Sequence, residues 1–395
     1  MAINPNSNKK VLVALSGGVD SAVSASLLKD QGYSVEGAHM VCWNEGPDCT
    51  SDQDRADATK VASHLNIPFQ VFDFRGEYSE QVVSYFYSEY EAGRTPNPDV
   101  ACNREIKFGI FLNKALELGF DYIATGHYAR VDKSKVKSKQ ELHSIESEKS
   151  KLHNLDNQSL EQFRLLAAFD LSKDQSLAKY KLCAGADPDK DQSYFLYNLT
   201  QDQLSHTVFP IGHLRKTEVR QIAVKLNLPN AAKKDSQGIC FIGDVDISEF
   251  LQRKVKVKYG KVVTPAGVVI GKHKGLAYYT IGQREGVGVS QKIPHYVVSK
   301  DKRTNTIVAA PFNDETHYKL GIQVEKVNWV GEKPKIEAII QARIRYRQPL
   351  FDVKIKKFGS RDVEVEFLDP QKAVTPGQSA VFYQNSVVLG GGTII

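Results

Sequence analysis

Val11-Leu12-Val13-Ala14 is an unbroken apolar run, and from Ala22 to Leu28 apolar residues return at helical spacing until the chain reaches Gly32. The first pattern predicts a buried parallel strand and the second an amphipathic helix lying on it. The alternation continues. Ser34 to Val41 predicts a strand, Gln53 to Leu65 a helix with Ser51 or Asp52 as N-cap, and Phe69 to Phe74 a third strand. Helices follow over Tyr78 to Tyr90, with Val82, Val83, Phe86 and Tyr90 as its apolar positions, and over Ile106 to Leu118, ending at Gly119. Asp121 to Ala124 is a short strand running into Thr125-Gly126-His127-Tyr128. Strands alternating with helices predict an α/β domain, a parallel sheet covered on both faces. Ligands of such sheets bind beyond the carboxyl ends of the strands, where Ser16, Met40 and Gly126-His127 are expected to converge.

The texture then changes twice. From about residue 131 to 162 the chain is rich in Lys, Ser, Glu, His and Asn, and an irregular run continues to Pro188. So few apolar groups do not offset the entropy of ordering, which predicts a polar surface insertion, at least partly disordered. Order returns at Lys190-Asp191-Gln192-Ser193-Tyr194-Phe195-Leu196, and a helix is expected from Thr217 to Leu226. Beyond Val255 the pattern is β. Short strands are expected at 262–263, 268–270, 276–279 and 296–298, then at 324–330, 336–345, 351–356, 363–367 and 379–383, which suggests a small barrel or sandwich. The expected division is 1–206 for the α/β domain, 207–312 for a small mixed middle domain, and 313–395 for a C-terminal β-barrel.

Composition narrows the class. The 395 residues carry a formal charge of +6, which permits a polyanionic partner without demanding one. No apolar stretch approaches a membrane span, and the first residues have neither an apolar signal core nor an Arg-rich amphipathic start, so a cytoplasmic protein without membrane partners is expected. Cys42, Cys49, Cys102, Cys183 and Cys240 are odd in number and include no Cys-x-x-Cys pair. Neither a secreted disulfide framework nor a protein-held metal centre is expected, and isolated cysteines in a reducing compartment are buried hydrophobes or working thiols.

Candidate chemistry lies in three places. Ser16-Gly17-Gly18-Val19-Asp20-Ser21 falls at the first strand-to-helix junction, where freed N–H groups and the helix dipole favour an anion. It lacks the Gly-Lys-Ser/Thr ending of a Walker A loop. The stiff loop Gly93-Arg94-Thr95-Pro96-Asn97-Pro98-Asp99 leads to Cys102, an acid and a thiol three residues apart; the start of the following helix would favour the thiolate at Cys102. Cys240 lies between Gly238 and Gly243, in a segment whose small residues suit a loop that moves. Further on, Arg343, Arg345 and Arg347 would share one face if they lie on a strand.

The loop Ser-Gly-Gly-x-Asp-Ser resembles the PP-loop of ATP pyrophosphatases. Together with Gly93 to Asp99, Cys102-Asn103, Ala124 to Tyr128, Lys190 to Leu196, Gly238 to Gly243, Gly282-Gln283-Arg284, Arg343 to Arg347 and Thr375 to Val381, it resembles the tRNA-specific 2-thiouridylase family over nearly the whole chain. The resemblance implies an adenine nucleotide alpha hydrolase-like fold and a sulfurtransferase that uses ATP with Mg2+. It implies ATP contacts at Ala14, Leu15, Ser16, Gly17, Gly18, Val19, Asp20, Ser21, Met40 and Gly126. Asn97, Pro98 and Asp99 would hold the target base. His127, Lys190, Asp191, Gln192, Arg345, Tyr346 and Gln378 would contact tRNA of the Lys, Glu and Gln type. Cys240 would carry a persulfide loaded by a cysteine desulfurase or a sulfur relay, Cys102 would be the second catalytic cysteine, forming a transient disulfide with it, and Asp99 the acid or base. The polar insertion departs from the family pattern. A different PP-loop synthetase acting on a small molecule, a non-catalytic tRNA-binding protein, an iron–sulfur route and a mitochondrial location are the alternatives.

Overall fold

A computed structural model describes residues 6, 8–44, 50–133, 180–235, 240, 242–243, 246–289 and 293–395. Cys49, Gly238, Ile239, Phe241 and residues 134–162 of the polar insertion lie outside the described residues. The chain opens with β1 (Lys10–Ala14), α1 (Val19–Asp30), β2 (Ser34–Val41), α2 (Ser51–Leu65) and β3 (Phe69–Asp73). β4 (Tyr122–Ala124) follows, then β5 (Ala129–Lys133), β6 (Tyr180–Ala184) and β7 (Thr207–Val208). One parallel sheet has the order β3-β2-β1-β4-β7. Its alternation feeds two cores. Leu12 and Ala14 pack on one face with Tyr78, Phe86, Cys102 and Phe108, while Val11, Val13 and Leu15 pack on the other with α1 and α2. Because β7 extends this sheet and the helix Lys216–Lys225 packs on α1 through Val219 and Ala223, the first domain continues past the boundary expected at 206.

A second sheet, β10-β11-β8-β9, is built from β8 (Gly260–Val263), β9 (Val269–His273), β10 (His295–Asp301) and β11 (Thr306–Pro311). The strand expected over 276–279 is instead a 3-10 turn, Leu276–Tyr278, with Ala277, Tyr278 and Tyr279 buried. The last module comprises β12 (Tyr318–Trp329), β13 (Ile339–Arg343), β14 (Phe351–Phe358), β15 (Val363–Lys372), β16 (Ser379–Gln384) and β17 (Val387–Ile394). Their order is β12-β15-β14-β13-β16-β17, and a β12–β17 pairing closes it into a barrel. Of the two expected forms, barrel or sandwich, it is the barrel. Sequence reading missed β17, because Gly390-Gly391-Gly392 interrupts its apolar pattern. The glycine at 391 is required by close packing: a Cβ there would stand 2.8 Å from the ring of Tyr197.

The antiparallel pair β5–β6 extends the barrel's sheet beyond β17. Its second strand pairs with β17 through Cys183 and Val387, so residues 131–133 of the expected insertion are strand that leads toward the barrel.

Candidate active site

The loop after β1 turns at Gly17, whose φ is +79° and whose missing Cβ leaves room for the backbone carbonyl of Asp54. Gly18 is the N-cap of α1 and offers no side chain to its first turn. The N–H groups of that turn therefore keep their capacity for an anion. Two serines brace the loop: Ser21 donates to the Gly18 carbonyl at 3.1 Å and accepts from the Ser16 amide at 3.2 Å. Gly126 completes the cradle. A Cβ there would lie 2.8 Å from the Asp20 carbonyl carbon and the Ser21 nitrogen. Ala14, Leu15, Val19 and Met40 are buried beneath, with Ser16 exposed above them. A pinched glycine pair, an uncapped helix start and an exposed hydroxyl fit a nucleotide's phosphates.

Asp20, in the first turn, is not free. Lys216 donates to both of its carboxylate oxygens at 2.8 and 2.9 Å, and the Tyr128 hydroxyl donates to Oδ1 at 2.8 Å. Lys216 had no place among the expected site residues.

The second constellation begins with Asn97, which caps the helix Pro98–Cys102 by accepting from the Val100 amide at 3.3 Å. Asp99 and Cys102 therefore lie on one short helix, and a π-helical stretch, Asn103–Ile110, continues it. In that winding, hydrogen bonds run from i to i+5, so the residue five positions after Cys102 returns to its side. That residue is Lys107, another group the sequence reading missed, because an α-helical periodicity points it elsewhere.

Cys240 is brought against this helix. Its sulfur is 3.5 Å from Cys102 Sγ, its amide donates to Asp99 Oδ1 at 3.1 Å, and its carbonyl accepts from the Tyr78 hydroxyl at 2.6 Å. The electrostatics separate the two thiols. Burial pushes Cys102 well above the ordinary thiol range. The hydrogen bond from the Cys102 thiol, followed against burial by the Lys107 ammonium, pulls Cys240 down to about 7. The helix start was expected to favour a thiolate at Cys102; because Cys102 closes its helical turn fully buried, the thiolate belongs at Cys240 instead. Burial opposes the charge on Lys107, yet Cys240, Cys102 and Asp99 outweigh it and hold the ammonium above its usual range. Burial also raises the Asp99 carboxyl, against the amide bond from Cys240. Cys42, which had no expected role, is buried in the same core.

Several residues expected to touch tRNA are engaged inside the protein. Asp191 is 2% exposed, accepting from the Gly185 and Ser193 amides and pairing with Arg343 at 2.8 Å. His127 is buried between Phe108 and Phe209 with its Nδ1 2.7 Å from the Thr125 hydroxyl. Gln378 donates to the carbonyls of Thr95 and Pro96, at 2.9 and 3.0 Å, and so ties the barrel to the loop that carries Asn97 and Asp99. Gln192 accepts from the Tyr128 amide. Lys190 pairs with Asp235 at 2.8 Å. Arg345 is exposed, and Tyr346 packs on Phe195 with ring centroids 4.5 Å apart. The three arginines do not share a strand face: β13 ends at Arg343, whose side chain turns inward over Tyr383, and Arg347 has a φ of +62° and lies on the Tyr346 ring.

A parallel-sheet domain with a phosphate-ready loop, joined to two β modules, defines a nucleotide-binding protein of the PP-loop type, and a pair of thiols lies close together beside Asp99. Family models match over the chain: a tRNA methyl transferase HUP domain at residues 9–178 and 170–244, a tRNA methyl transferase PRC-barrel domain at 248–311, and an Aminomethyltransferase beta-barrel domain at 319–394. Among curated relatives, the tRNA-specific 2-thiouridylase MnmA of Alkaliphilus oremlandii (strain OhILAs) is 43% identical over 395 residues, covering 98% of this chain and 96% of that one. The proteins of that name from Janthinobacterium sp. (strain Marseille) and Proteus mirabilis (strain HI4320) are each 42% identical. They cover 98% and 99% of this chain and 97% and 98% of their own. The chain belongs to the tRNA-specific 2-thiouridylase family.

Proposed function

We propose that this chain is a tRNA-uridine 2-sulfurtransferase acting on wobble uridine 34 of tRNAs of the Lys, Glu and Gln type. The observation that carries the reading is the thiol pair, Cys102 and Cys240, 3.5 Å apart beside Asp99 and Lys107. The C2 carbonyl of uracil is urea-like, a poor electrophile with a poor leaving oxygen. Ala14 to Ser21, Met40 and Gly126 would hold ATP, taken up as its Mg2+ complex, and the nucleotide would supply AMP to that oxygen with release of pyrophosphate. The chain's own residues do the rest.

The Cys240 thiolate attacks the outer sulfur of a donor persulfide; the donor S–S bond breaks, the donor leaves as a thiolate, and Cys240 holds the sulfur as a persulfide. A cysteine desulfurase or a relay protein is the donor. Cys102 then gives up its proton, with Asp99 as the nearby base, and attacks the inner sulfur of Cys240. A Cys102–Cys240 disulfide forms, the outer sulfur departs with the electron pair as hydrosulfide and adds at C2, and the activated oxygen leaves with its electron pair as AMP. A dithiol reductant returns the pair to thiols. Lys107 supports both ends of this sequence, holding the receiving thiolate and the departing hydrosulfide by charge.

Asn97 to Asp99 hold the base, steadied from behind by Gln378. Exposed Arg345, with Tyr346 beside it, offers phosphate and stacking contacts, and Lys190 to Gln192 are further tRNA contacts in this reading, with Asp191 held by Arg343. A cytoplasmic setting is part of this reading; among the described residues no helix is long and apolar enough to cross a membrane. The test is to incubate the protein with a cysteine desulfurase, cysteine, ATP and unmodified tRNA and to digest the tRNA to nucleosides. 2-Thiouridine formed only with ATP is expected; none formed refutes the reading.

A further inference from the structure

Five charged groups meet behind the phosphate loop. Lys216 bridges Asp20 and Asp235, at 2.8 Å to a carboxylate oxygen of each, and Asp235 is also held by Arg220 at 2.6 Å and Lys190 at 2.8 Å. Two carboxylates thus face three cations, and a third carboxylate, Asp187, accepts from the Lys216 amide at 2.8 Å, so the described cluster balances in formal charge. Its location is informative. Asp20 sits in the first turn of α1, where the uncapped amides and the helix dipole already favour an anion. A carboxylate alone at that point would repel a polyphosphate. Lys216 cancels that repulsion, and its side chain is only 14% exposed, so its charge acts through little water. Its aim is fixed from three sides: by Asp20, by Asp235 and by the ring of Tyr128, 5.9 Å from Nζ. The cations on Asp235 in turn keep that carboxylate ionised, holding its pKa far below the usual range against burial.

We propose that Lys216 is a nucleotide-binding residue of this enzyme, the cation that meets the phosphate chain of ATP at the Asp20 end of the loop, with Asp235 as the residue that positions it. The proposal rests on the ATP reading above and adds to it a contact from a helix distant in sequence. Lys216 shares its ammonium between Asp20 and the incoming phosphate oxygens, a charge-assisted contact to the group that leaves as pyrophosphate. Asp235 keeps the ammonium from collapsing onto Asp20 alone.

Isothermal titration of the full chain with α,β-methylene-ATP and with inorganic pyrophosphate tests this, using the wild type, Lys216→Gln, Lys216→Arg and Asp235→Asn. Expected is a rise of roughly ten- to a hundredfold in the dissociation constant for both probes in Lys216→Gln. Partial recovery is expected in Lys216→Arg and a smaller loss in Asp235→Asn. In turnover, Lys216→Gln raises KM for ATP while KM for tRNA stays at its wild-type value, a split that general misfolding does not produce. Wild type that binds neither probe overturns the ATP reading itself. Wild type that binds, with Lys216→Gln binding equally well, overturns the role of Lys216 alone; equal rises in both KM values do the same.

Discussion

The thiolate at Cys240 is held by its neighbours, and removing them one at a time measures by how much. Its pKa is drawn from 9.0 to about 7, with the hydrogen bond from the Cys102 thiol the largest cause and the Lys107 charge acting in the same direction against burial. Two units correspond to roughly 3 kcal/mol favouring the thiolate. Cys102→Ala removes the donor and leaves burial in place, so the Cys240 midpoint is expected to return to about 9 or above. Cys102→Ser keeps a hydroxyl donor at the same position and is expected to stay near 7. Lys107→Met deletes the secondary contribution and is expected to move the midpoint up by less than Cys102→Ala does.

The assay is the rate of Cys240 alkylation by iodoacetamide against pH, followed by mass spectrometry of the peptide that contains it. The midpoint is the readout, because a rate at one pH mixes two effects. At pH 7 a rise of two units lowers the thiolate fraction roughly fiftyfold, but the more basic thiolate is several-fold more reactive, which offsets part of the loss. The sign is fixed: the reactive form disappears as pH falls through the midpoint, so wild-type sulfur acceptance declines below about pH 7 and that of Cys102→Ala declines from higher pH. Midpoints that remain near 7 in both Cys102→Ala and Lys107→Met refute the reasoning.

Four further outcomes follow from particular residues. Cys240→Ser is expected to accept no radiolabelled sulfur from the desulfurase, whereas Cys102→Ser accepts it and fails to pass it to tRNA; normal thiolation by either variant contradicts the assigned roles. Arg343→Leu leaves the buried Asp191 carboxylate unpaired and is expected to cost about 3–5 kcal/mol, seen as a fall in Tm. Arg345→Ala should leave Tm unchanged and reduce the salt slope of tRNA binding by about one; a Tm loss at 345 and none at 343 reverses the assignment. Gly17→Ala forces a side chain into a left-handed turn and against the Asp54 carbonyl, at roughly 1–3 kcal/mol, so binding of α,β-methylene-ATP should be lost before the fold is; retained affinity counts against the loop as the phosphate site.

What was legible in the sequence, and what was not, divides along one physical line: how far apart in the chain the cooperating groups lie. The parallel sheet was legible because each buried strand is a local apolar run, and the phosphate loop because its glycines, serines and Asp20 are consecutive. Asp99 and Cys102 were legible for the same reason. Cys240 could be paired with Cys102 only through the family resemblance, since nothing in local pattern brings a residue across 138 positions to within 3.5 Å. Lys107 is near in sequence and was still missed, because helical reasoning assumes 3.6 residues per turn and the chain there winds with i to i+5 bonds. Lys216 was missed for the opposite reason: its partner Asp20 is 196 residues away. The arginines at 343, 345 and 347 show how a local rule fails: a period of two holds only while the strand lasts, and this one ends at Arg343. The same separation explains the division of labour in the site. Gly17 to Ser21 and Asn97 to Cys102 are short local motifs, while Cys240, Lys216, Gln378 and Arg343 are recruited from afar and fix charge and position around them. Local motifs and one distant cysteine supply the candidate reacting atoms; their protonation states and mutual distances come from the tertiary fold.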